Sequence, residues 1–378
     1  MIFHVVALPH TITSKQYLTC AYTQKVLNFC KMMSSLGHTV YHYGAEKSVV
    51  DATEHVTIIT EEQRQKWWGT NDFKKDFYAV DWKPELSYWR ETNENAIKEI
   101  AKRISQKDFI CLIGGSCQRP IADAFPTHMS VEYGIGYEGT FSKYRVFESY
   151  AWMHYIYGRE GTLNGIHYDA VVPNYFDPVD FPFSADKDNY FLFIGRLIHR
   201  KGLHVAAEIC NTIGARLVVA GQGMVSYEAG KLVTNEVTVT GNIDYVGTLD
   251  VEARGKLMSR ARAVMVPTQY IGPFEGVSIE AMICGTPVIT TDWGCFSETV
   301  LDGITGYRTR TLGEGVWAAQ NVDKLCPKTI SDYALRKWAI DVVKYRYEEY
   351  FKELLNLWNK GWYTLSYDPI KRRHGAFI

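Results

Sequence analysis

The sequence lacks the features that mark membrane, secreted and nucleic-acid-binding proteins. No apolar run reaches the roughly 18 residues of a membrane helix, so we expect no transmembrane segment. The 8 cysteines include no C-x-x-C pair, and no N-x-S/T sequon occurs, which favours the cytoplasm over an oxidising compartment. Residues 1–10 carry no basic segment, so they predict a first strand and not a signal peptide. Lys+Arg total 41 and Asp+Glu 42, which argues against nucleic acid as a partner.

Two stretches of alternating strand and helix patterns fill most of the 378 residues. In the first stretch, residues 3–8 and 39–43 are apolar and flank a segment of helical spacing, which predicts a βαβ unit and a parallel sheet. A segment with a proline and three charged residues, residues 181–188, precedes the second stretch. We therefore predict an α/β protein of two doubly wound Rossmann-like domains, residues 1–180 and 186–340.

Residues 272–292 combine a loop, a short helix and a strand in a way that suits a charged ligand. Gly272 and Pro273 form a turn, an apolar-spaced segment of about two helical turns follows, and Gly285 ends it. The free N–H groups and partial positive charge of a helix N-terminus favour a phosphate. Glu280, in the first turn, presents a carboxylate that can accept two hydroxyl hydrogen bonds. A diphosphate at the helix tip and a diol at Glu280 indicate a nucleotide sugar.

The same stretch resembles the signature E-P-F-G-x-x-x-x-E-A-x-x-x-G-x-P-V of family-4 retaining glycosyltransferases of the GT-B fold (glycosyl transferases group 1). It departs from that signature at Gly272, where the family has its first glutamate, and at Glu275, where the family usually has glycine. The resemblance implies two Rossmann-like domains facing each other across a cleft. It also implies that residues 341–378 contain a C-terminal helix that returns to the first domain, followed by a tail that is basic at residues 371–373. The matching residues are Pro273, Phe274, Glu280, Ala281, Gly285, Pro287 and Val288.

A second match lies at the start of the second domain, where Gly195 and Arg196 are followed by Lys201 and Gly202, as in the family. Two cations on a strand-to-helix loop suit a diphosphate leaving group, so we predict Arg196 and Lys201 as catalytic residues. The resemblance implies that Glu280 holds ribose hydroxyls and that two further backbone segments lie near the nucleobase. The predicted donor-binding residues are Glu280, Phe274, Gly276, Val277, Gly195, Gly223 and Val246.

The family's first glutamate contacts hydroxyls of the donor sugar, and Gly272 has no side chain to make that contact. Glu275 lies three residues further on in the same loop, and the glycines at 272 and 276 allow the backbone a positive φ. We therefore predict Glu275 as a third catalytic residue that takes over the contact. The alternative is that its side chain faces solvent.

Four residues of the first domain are predicted to face the acceptor. His10 stands in the loop where the family has glycines, and Glu132, Tyr133 and Tyr137 lie where the family's strand ends in His-Gly. A histidine or tyrosine in such a place is also compatible with packing, which is the alternative for each of these residues.

Three further segments carry structural predictions. Residues 61–93 predict an irregular stretch centred on Trp67 and Trp68: an acceptor flap, a membrane-surface patch or, as we favour, a partly packed surface excursion. Residues 143–157 are aromatic and spaced as in a helix, and residues 338–358 predict one long amphipathic helix.

These observations predict a retaining glycosyltransferase that transfers a sugar from a UDP- or GDP-sugar to a hydroxyl of a glycan, lipid or small molecule. No metal or cofactor is expected if Arg196 and Lys201 neutralise the leaving diphosphate. One alternative is a nucleotide-sugar epimerase of the same fold. Another, suggested by Gly272, is a degenerate protein that binds nucleotide or glycan without transfer. The absence of G-x-S-x-G disfavours a serine hydrolase, and the G-x-G-x-x-G at 134–139 lies outside the first βα unit, which disfavours a dehydrogenase.

Overall fold

The computed structural model describes residues 1–17, 20–70, 80–223 and 225–359. Within these residues the chain forms two large parallel sheets covered by helices and one small antiparallel sheet. The predicted basic tail at residues 371–373 lies outside the described residues. No helix in the described part of the chain is both long enough and apolar enough to span a membrane.

The first domain is built on a sheet of seven parallel strands in the sequence order 3-2-1-4-5-6-7. The central strand pairs on both sides, with Phe3 opposite Val40 and opposite Phe109. Helices cover both faces, which explains why the central strands at residues 2–6 and 109–112 are almost completely buried. The strands are β1 (Ile2–Val6), β2 (Thr39–Ala45), β3 (Glu54–Ile59), β4 (Phe109–Leu112), β5 (Met129–Ile135), β6 (Tyr144–Phe147) and β7 (Asp169–Val171).

The described part of the first domain contains five α-helices, which lie between the strands of this sheet in sequence. The first helix buries Val26, Phe29 and Met33 on the sheet, as its apolar spacing predicts. A capping box between Thr60 and Gln63 starts the second. The helices are α1 (Ala21–Ser35), α2 (Glu61–Trp68), α3 (Ser87–Ala101), α4 (Arg119–Ala124) and α5 (Tyr150–Arg159).

The second domain contains a sheet of six parallel strands, which confirms the predicted pair of doubly wound domains. Its order is β13-β9-β8-β14-β15-β16, and a three-stranded antiparallel sheet, β10-β11-β12, is inserted after β9. The strands are β8 (Phe191–Ile194), β9 (Leu217–Ala220), β10 (Ser226–Glu228), β11 (Lys231–Val233), β12 (Thr238–Thr240), β13 (Ile243–Tyr245), β14 (Ala263–Val266), β15 (Val288–Thr291) and β16 (Gly306–Thr309).

The last helix, α12 (Ile340–Asn359), leaves the second domain and packs on the first. Its residues Tyr347 and Phe351 join the core of the first domain, where Phe351 contacts Phe3 with ring centroids 4.7 Å apart. The helices of the second half of the chain are α6 (Leu203–Thr212), α7 (Val251–Arg260), α8 (Gly276–Ile283), α9 (Phe296–Thr299), α10 (Leu312–Asn321), α11 (Pro327–Trp338) and α12 (Ile340–Asn359).

The two connections between the domains run side by side. Phe176 N–H donates to the carbonyl of Trp338 at 2.9 Å, and Ile340 N–H donates to the carbonyl of Phe176 at 2.8 Å. Ala339 between them is extended, with φ −61 and ψ 139, and forms a bridge with Phe176. The single helix predicted over residues 338–358 is therefore wrong, because this pairing divides it into α11 and α12.

Two other local predictions are wrong. Residues 61–93 contain α2 and the start of α3, although Trp67 and Trp68 do pack partly buried against a small core that includes Ile12. Residues 143–157 are not one helix, because residues 144–147 form β6 at an inner position of the sheet. Aromatic residues suit a buried strand as well as a helix, so spacing alone did not separate the two.

Candidate functional site

A cleft of about 1690 Å³ lies between the two domains, at the carboxyl ends of their parallel strands. Its first-domain wall includes the loops after β4 and β5, and its second-domain wall includes the loops after β8 and β14. Ligands of doubly wound sheets bind at this end of the strands. The predicted site residues that line the cleft are His10, Tyr137, Gly195, Arg196, Lys201, Phe274, Glu275, Gly276, Val277 and Glu280.

Lys201 and Glu275 form an ion pair on the second-domain wall. Lys201 Nζ lies 2.8 and 2.7 Å from the two carboxylate oxygens of Glu275, and the Tyr270 hydroxyl donates to the same carboxylate at 2.8 Å. Burial alone disfavours the ammonium, but the Glu275 carboxylate and Tyr270 outweigh it and raise the pKa of Lys201. Lys201 therefore stays protonated at neutral pH and is held in one position.

The backbone at Gly202 accounts for the Lys-Gly pair. A 3-10 turn, His199–Lys201, passes into α6 through Gly202, whose φ is 80. A Cβ at this position would lie 2.1 Å from the carbonyl oxygen of Pro267. Only glycine allows the loop after β8 to approach the end of β14 this closely. The same approach brings Lys201 to the loop that holds Glu275.

Two further cations stand on the same loop. Arg196 lines the cleft directly after Gly195, and its side chain is exposed. The Arg200 guanidinium lies 4.6 Å from the centre of the Tyr270 ring. With Lys201, these arginines give the loop three cations, which line the same cleft as the single carboxylate of Glu275. The surplus of positive charge suits a ligand with more than one negative charge.

Glu275 fills the space beside Gly272. Its backbone is left-handed, with φ 54 and ψ 62, directly before α8. A Cβ at position 272 would lie 2.5 Å from Oε1 of Glu275 and 2.7 Å from its Cγ. A side chain at position 272 would thus displace the Glu275 carboxylate. Gly272 and Glu275, the two departures from the family signature, are coupled, and the alternative in which Glu275 faces solvent is wrong because its side chain is only 5% exposed.

Glu280 lies deeper in the same wall and is paired with Arg254. A terminal nitrogen of Arg254 donates to Oε1 of Glu280 at 2.8 Å, whereas Oε2 is buried and has no hydrogen-bond partner. Burial raises the pKa of Glu280, and the charge of Arg254 opposes that rise. A buried carboxylate oxygen without a donor fits a ligand hydroxyl. Sequence reasoning missed Arg254 because it is one of several basic residues on an amphipathic surface helix, α7.

The N-terminus of α8 opens into the cleft beside these groups. Gly276 and Val277 are its first residues and line the cleft, and first-turn N–H groups have no acceptor within their own helix. Phe274 lies under the loop, 2% exposed and stacked on Phe176 with ring centroids 6.3 Å apart. The helix end therefore offers N–H donors and partial positive charge to an anion, while Phe274 supports the loop from below.

Two of the predicted donor-binding residues do not line the cleft among the residues described. Val246 is 43% exposed and directly follows β13, and its N–H already donates to the carbonyl of Val219 at 3.0 Å. Gly223 packs toward Leu197, and a Cβ there would lie 3.3 Å from the Cβ of Leu197. The contacts to the nucleobase predicted from these two positions stay predictions.

Of the first-domain candidates, His10 and Tyr137 reach the cleft. His10 is 5% exposed, its Nδ1 has no hydrogen-bond partner, and burial together with the charge of Arg64 lowers its pKa to about 3. His10 is therefore neutral at physiological pH. The ring of Tyr137 packs edge to face on Tyr22, with centroids 5.7 Å apart.

Glu132 and Tyr133 do not reach the cleft, which corrects their prediction as acceptor-side residues. Both are fully buried in β5, an inner strand of the sheet. Tyr133 packs on Phe29 in the first-domain core, with ring centroids 4.4 Å apart. The Glu132 carboxylate accepts hydrogen bonds from the Tyr137 hydroxyl at 3.1 Å and from the N–H of Ser142 at 2.7 Å. Glu132 thus holds the loop that presents Tyr137.

A buried ion pair that sequence reasoning missed also lines the cleft. Lys25 donates to Glu148 and, at 3.0 Å, to the carbonyl of Gly134; Asn174 Nδ2 donates to the other Glu148 oxygen at 2.8 Å. Burial lowers the pKa of Lys25 to about 7. A Cβ at Gly136 would lie 2.3 Å from Glu148, which explains a glycine of the G-x-G-x-x-G loop. The feature of the sequence that could have indicated this pair is Lys25, a lysine on the buried face of α1.

Comparison with known proteins finds proteins similar in sequence to part of this chain, and solved structures similar in fold to most of it. Residues 180–311 match the family model described as glycosyl transferases group 1. An uncharacterized glycosyltransferase of Methanocaldococcus jannaschii is 26% identical over 187 residues, which cover 46% of this chain and 45% of that protein. The matched stretch thus spans less than half the length of the first curated relatives.

Solved structures extend the likeness to both domains. AviGT4, a glycosyltransferase involved in avilamycin A biosynthesis, superposes with a TM-score of 0.62 at 19% identity and covers 94% of this chain and 98% of its own. Anabaena HepE, solved in complex with UDP and glucose, superposes with a TM-score of 0.61 at 12% identity, with 93% and 100% of the two chains covered. At these identities the likeness shows a common fold.

Proposed function

We propose that this chain, whose residues 180–311 match the glycosyl transferases group 1 model, is a retaining glycosyltransferase that moves a sugar from a nucleotide sugar to a hydroxyl acceptor. One observation carries the proposal. The Lys201–Glu275 pair, the Glu280–Arg254 pair and the N-terminus of α8 meet in one wall of the cleft.

The donor is assigned to this wall by its charges. The diphosphate is held by Arg196, Lys201 and the N-terminal N–H groups of α8, since these supply positive charge to the same region. The ribose hydroxyls donate to Glu280, whose Oε2 has no partner within the described structure. A UDP- or GDP-sugar is the proposed donor, and the UDP complex of the similarly folded HepE supports a nucleoside diphosphate of this kind.

The same cations serve the chemical step. As the bond between the anomeric carbon and the diphosphate oxygen breaks, negative charge grows on that oxygen. Arg196 and Lys201 interact more strongly with this charge than with the intact donor, so they stabilise the transition state. The acceptor oxygen forms the new glycosidic bond on the same face of the sugar, and its proton passes to the leaving diphosphate.

Glu275 is proposed to contact hydroxyls of the donor sugar. Its carboxylate is fixed by Lys201 and Tyr270 and lines the cleft directly before α8. Two acceptor oxygens shared by three or more donors can orient a sugar ring without a covalent bond to it. Because Arg196 and Lys201 neutralise the leaving diphosphate, the proposed mechanism assigns no step to a metal ion.

A titration followed by product analysis tests the proposal. Calorimetry with UDP, GDP and ADP, each with and without EDTA, should give binding of one nucleotide that EDTA leaves unchanged. The matching sugar nucleotides are then incubated with and without an acceptor panel and followed by NMR. Glycosylated product whose anomeric proton has the donor's configuration supports the proposal.

The two alternatives give different results in the same assay. An epimerase converts the sugar nucleotide to a new isomer without any acceptor. A degenerate binding protein binds nucleotide but leaves the donor intact in every mixture. Failure to bind any of the three nucleotides would overturn the assignment of the donor wall.

A further inference from the structure

The first-domain wall of the cleft is rich in aromatic residues that the donor chemistry does not use. Tyr22 contacts Trp82 and Tyr137 edge to face, with ring centroids 6.4 and 5.7 Å apart. Trp152 and Tyr155 stack on each other at 4.7 Å. All of these residues line the cleft, and we call the set Tyr22, Trp82, Tyr137, Trp152 and Tyr155 the aromatic wall.

Trp82 is the most accessible member of the aromatic wall. It packs on the fully buried Trp89, with ring centroids 5.4 Å apart, and meets the edge of His10 at 6.2 Å. Nevertheless 48% of Trp82 is exposed. A large ring that is fixed by its neighbours and open to the cleft costs little conformational entropy when a ligand packs on it.

The tyrosine hydroxyls of the wall are engaged within the protein. Tyr22 donates to the carbonyl of Gly136 at 3.0 Å, Tyr137 donates to Glu132 at 3.1 Å, and Tyr155 donates to Glu138 at 2.7 Å. The wall therefore offers a ligand mainly the surface of its rings. The C–H groups on one side of a pyranose ring form a flat apolar surface of matching size.

The charges of this wall disfavour an anionic ligand. Its cations are paired, Lys25 with Glu148 and Arg159 with Glu138, the latter at 2.9 Å. The other carboxylates of the wall are paired as well, Glu160 with Arg145, Asp177 with Lys31 and Asp180 with Lys15. The described part of this wall therefore presents no unpaired cation to an anionic ligand. The second-domain wall, by contrast, has four cations to two carboxylates. The carboxylates of the first-domain wall are Glu138, Glu148, Glu160, Asp177 and Asp180.

We infer that the acceptor is an uncharged saccharide that stacks a sugar ring on Trp82 and its neighbours in the aromatic wall. The carboxylates and amides around the wall accept and donate hydrogen bonds to its hydroxyls, and the transfer takes place on a hydroxyl that faces the donor wall. The inference rests on the proposed function, because it takes the second-domain wall as the donor site.

A binding experiment with matched ligands tests the inference. The full chain is saturated with whichever nucleotide the calorimetry selects. It is then titrated with neutral trisaccharides of glucose, galactose and mannose, with the same trisaccharides carrying a 6-phosphate, and with a polyprenyl phosphate. Quenching of tryptophan fluorescence gives the Kd. At least one neutral trisaccharide should bind roughly tenfold or more tighter than its phosphorylated form, because the wall has no unpaired cation to compensate for the lost hydration of the phosphate.

Variants locate the site. Trp82→Ala should raise the Kd for that trisaccharide by about 3- to 10-fold, and Trp82→Phe by less, because a smaller ring surface remains. Trp317→Ala is the matched control, since Trp317 is 53% exposed and does not line the cleft. Trp317→Ala should bind the trisaccharide as the parent does. Calorimetry with the nucleotide checks that each variant is folded, and acceptor calorimetry replaces fluorescence where the tryptophan itself is removed.

The outcomes separate this inference from the proposed function. Equal or tighter binding of the phosphorylated ligands would overturn the inference, as would parent-like binding by folded Trp82→Ala. If none of the saccharides binds while the donor is still bound and consumed, the inference fails and the proposed function stands. If neither nucleotide nor donor binds, the proposed function fails, and the inference that rests on it fails with it.

Discussion

Glu298 of the second domain caps the helix of the first domain that begins at Tyr150. Its carboxylate accepts hydrogen bonds from the N–H groups of Tyr150 at 2.9 Å and Ala151 at 2.7 Å. Next to it, the Ser149 hydroxyl donates to the carbonyl of Pro273 at 2.6 Å. The cap satisfies N–H groups that the first turn of a helix leaves without partners. The Ser149–Pro273 hydrogen bond beside it joins the start of α5 to the loop that carries Glu275.

We expect Glu298→Ala to loosen this junction. Losing a charged N-cap contact should cost about 1 kcal/mol of stability and should make the loop that carries Glu275 more accessible to limited proteolysis. Thermal unfolding and digestion with and without nucleotide measure the two effects. Glu252→Ala is the control, because Glu252 is exposed and pairs with Lys256 one turn further along the same helix. Equal losses in both variants would contradict the assigned role of Glu298.

Gly272→Ala should impair transfer through Glu275. The added methyl group meets the Glu275 carboxylate at 2.5 Å, so the carboxylate must leave its position beside Lys201. We expect kcat to fall on the order of tenfold or more, with nucleotide affinity changing little, because the displaced contact is to the sugar. Gly313→Ala is a suitable control, since nothing lies within 4 Å of a Cβ at that position.

Glu275→Gln tests the same contact without adding bulk. It should lower the transfer rate and leave the affinity for free nucleotide nearly unchanged, which stopped-flow and calorimetry measure separately. Transfer at the parental rate would remove Glu275 from the mechanism and direct attention to His10.

Two cations of the loop after β8, Arg196 and Lys201, should matter for the rate. We expect Arg196→Ala and Lys201→Ala each to cost about 2–4 kcal/mol of transition-state stabilisation, measured from kcat/KM. Arg216→Ala is the control, because Arg216 pairs with Asp244 at an exposed position away from the cleft. Glu280→Ala, by contrast, should act mainly on nucleotide affinity. Full turnover in both cation variants, with the fold intact, would disprove the assignment.

Burial of neutral His10 predicts a pH dependence of stability. Its pKa is lowered to about 3 in the folded state, mainly by burial, so below about 6.5 the unfolded chain binds a proton that the folded chain does not. Stability is therefore fully present above that pH and lost as the pH falls. From pH 7 to 5, His10 should lower the free energy of unfolding by about 2 kcal/mol. His10→Phe should remove this contribution. Urea unfolding at both pH values measures this, with exposed His154→Phe as the control; an unchanged pH dependence in His10→Phe would refute it.

The sequence predicts the second domain better than the first, for a physical reason. Lys201, Glu275 and Glu280 lie in loops or helix ends whose conformations depend on nearby glycine and proline, so local pattern locates them. Glu132 and Tyr133 lie in an inner strand that is covered on both faces. In such a strand alternation does not tell which side meets the cleft.

Long-range partners account for most of the remaining differences. Lys25 and Glu148 are 123 residues apart in sequence, and nothing local to either of them indicates the ion pair. The break between α11 and α12 at Ala339 likewise depends on pairing with Phe176. Amphipathic spacing continues through Ala339, so it predicts one helix where tertiary hydrogen bonds impose two.

The passage of α12 into the first domain determines how the two domains can be exchanged between relatives. A hybrid protein with one junction, between the two domains, would combine the first sheet with the last helix of the other protein. The contacts of Phe351 with Phe3 and of Tyr347 with Phe29 would then be lost. A hybrid that keeps the first core intact needs two joints. Phe176 and Ala339 are the natural positions, because the chain crosses between the domains at both and the two crossings are hydrogen-bonded to each other. The second domain is in this sense an insertion, and recombination can replace it as a single cassette.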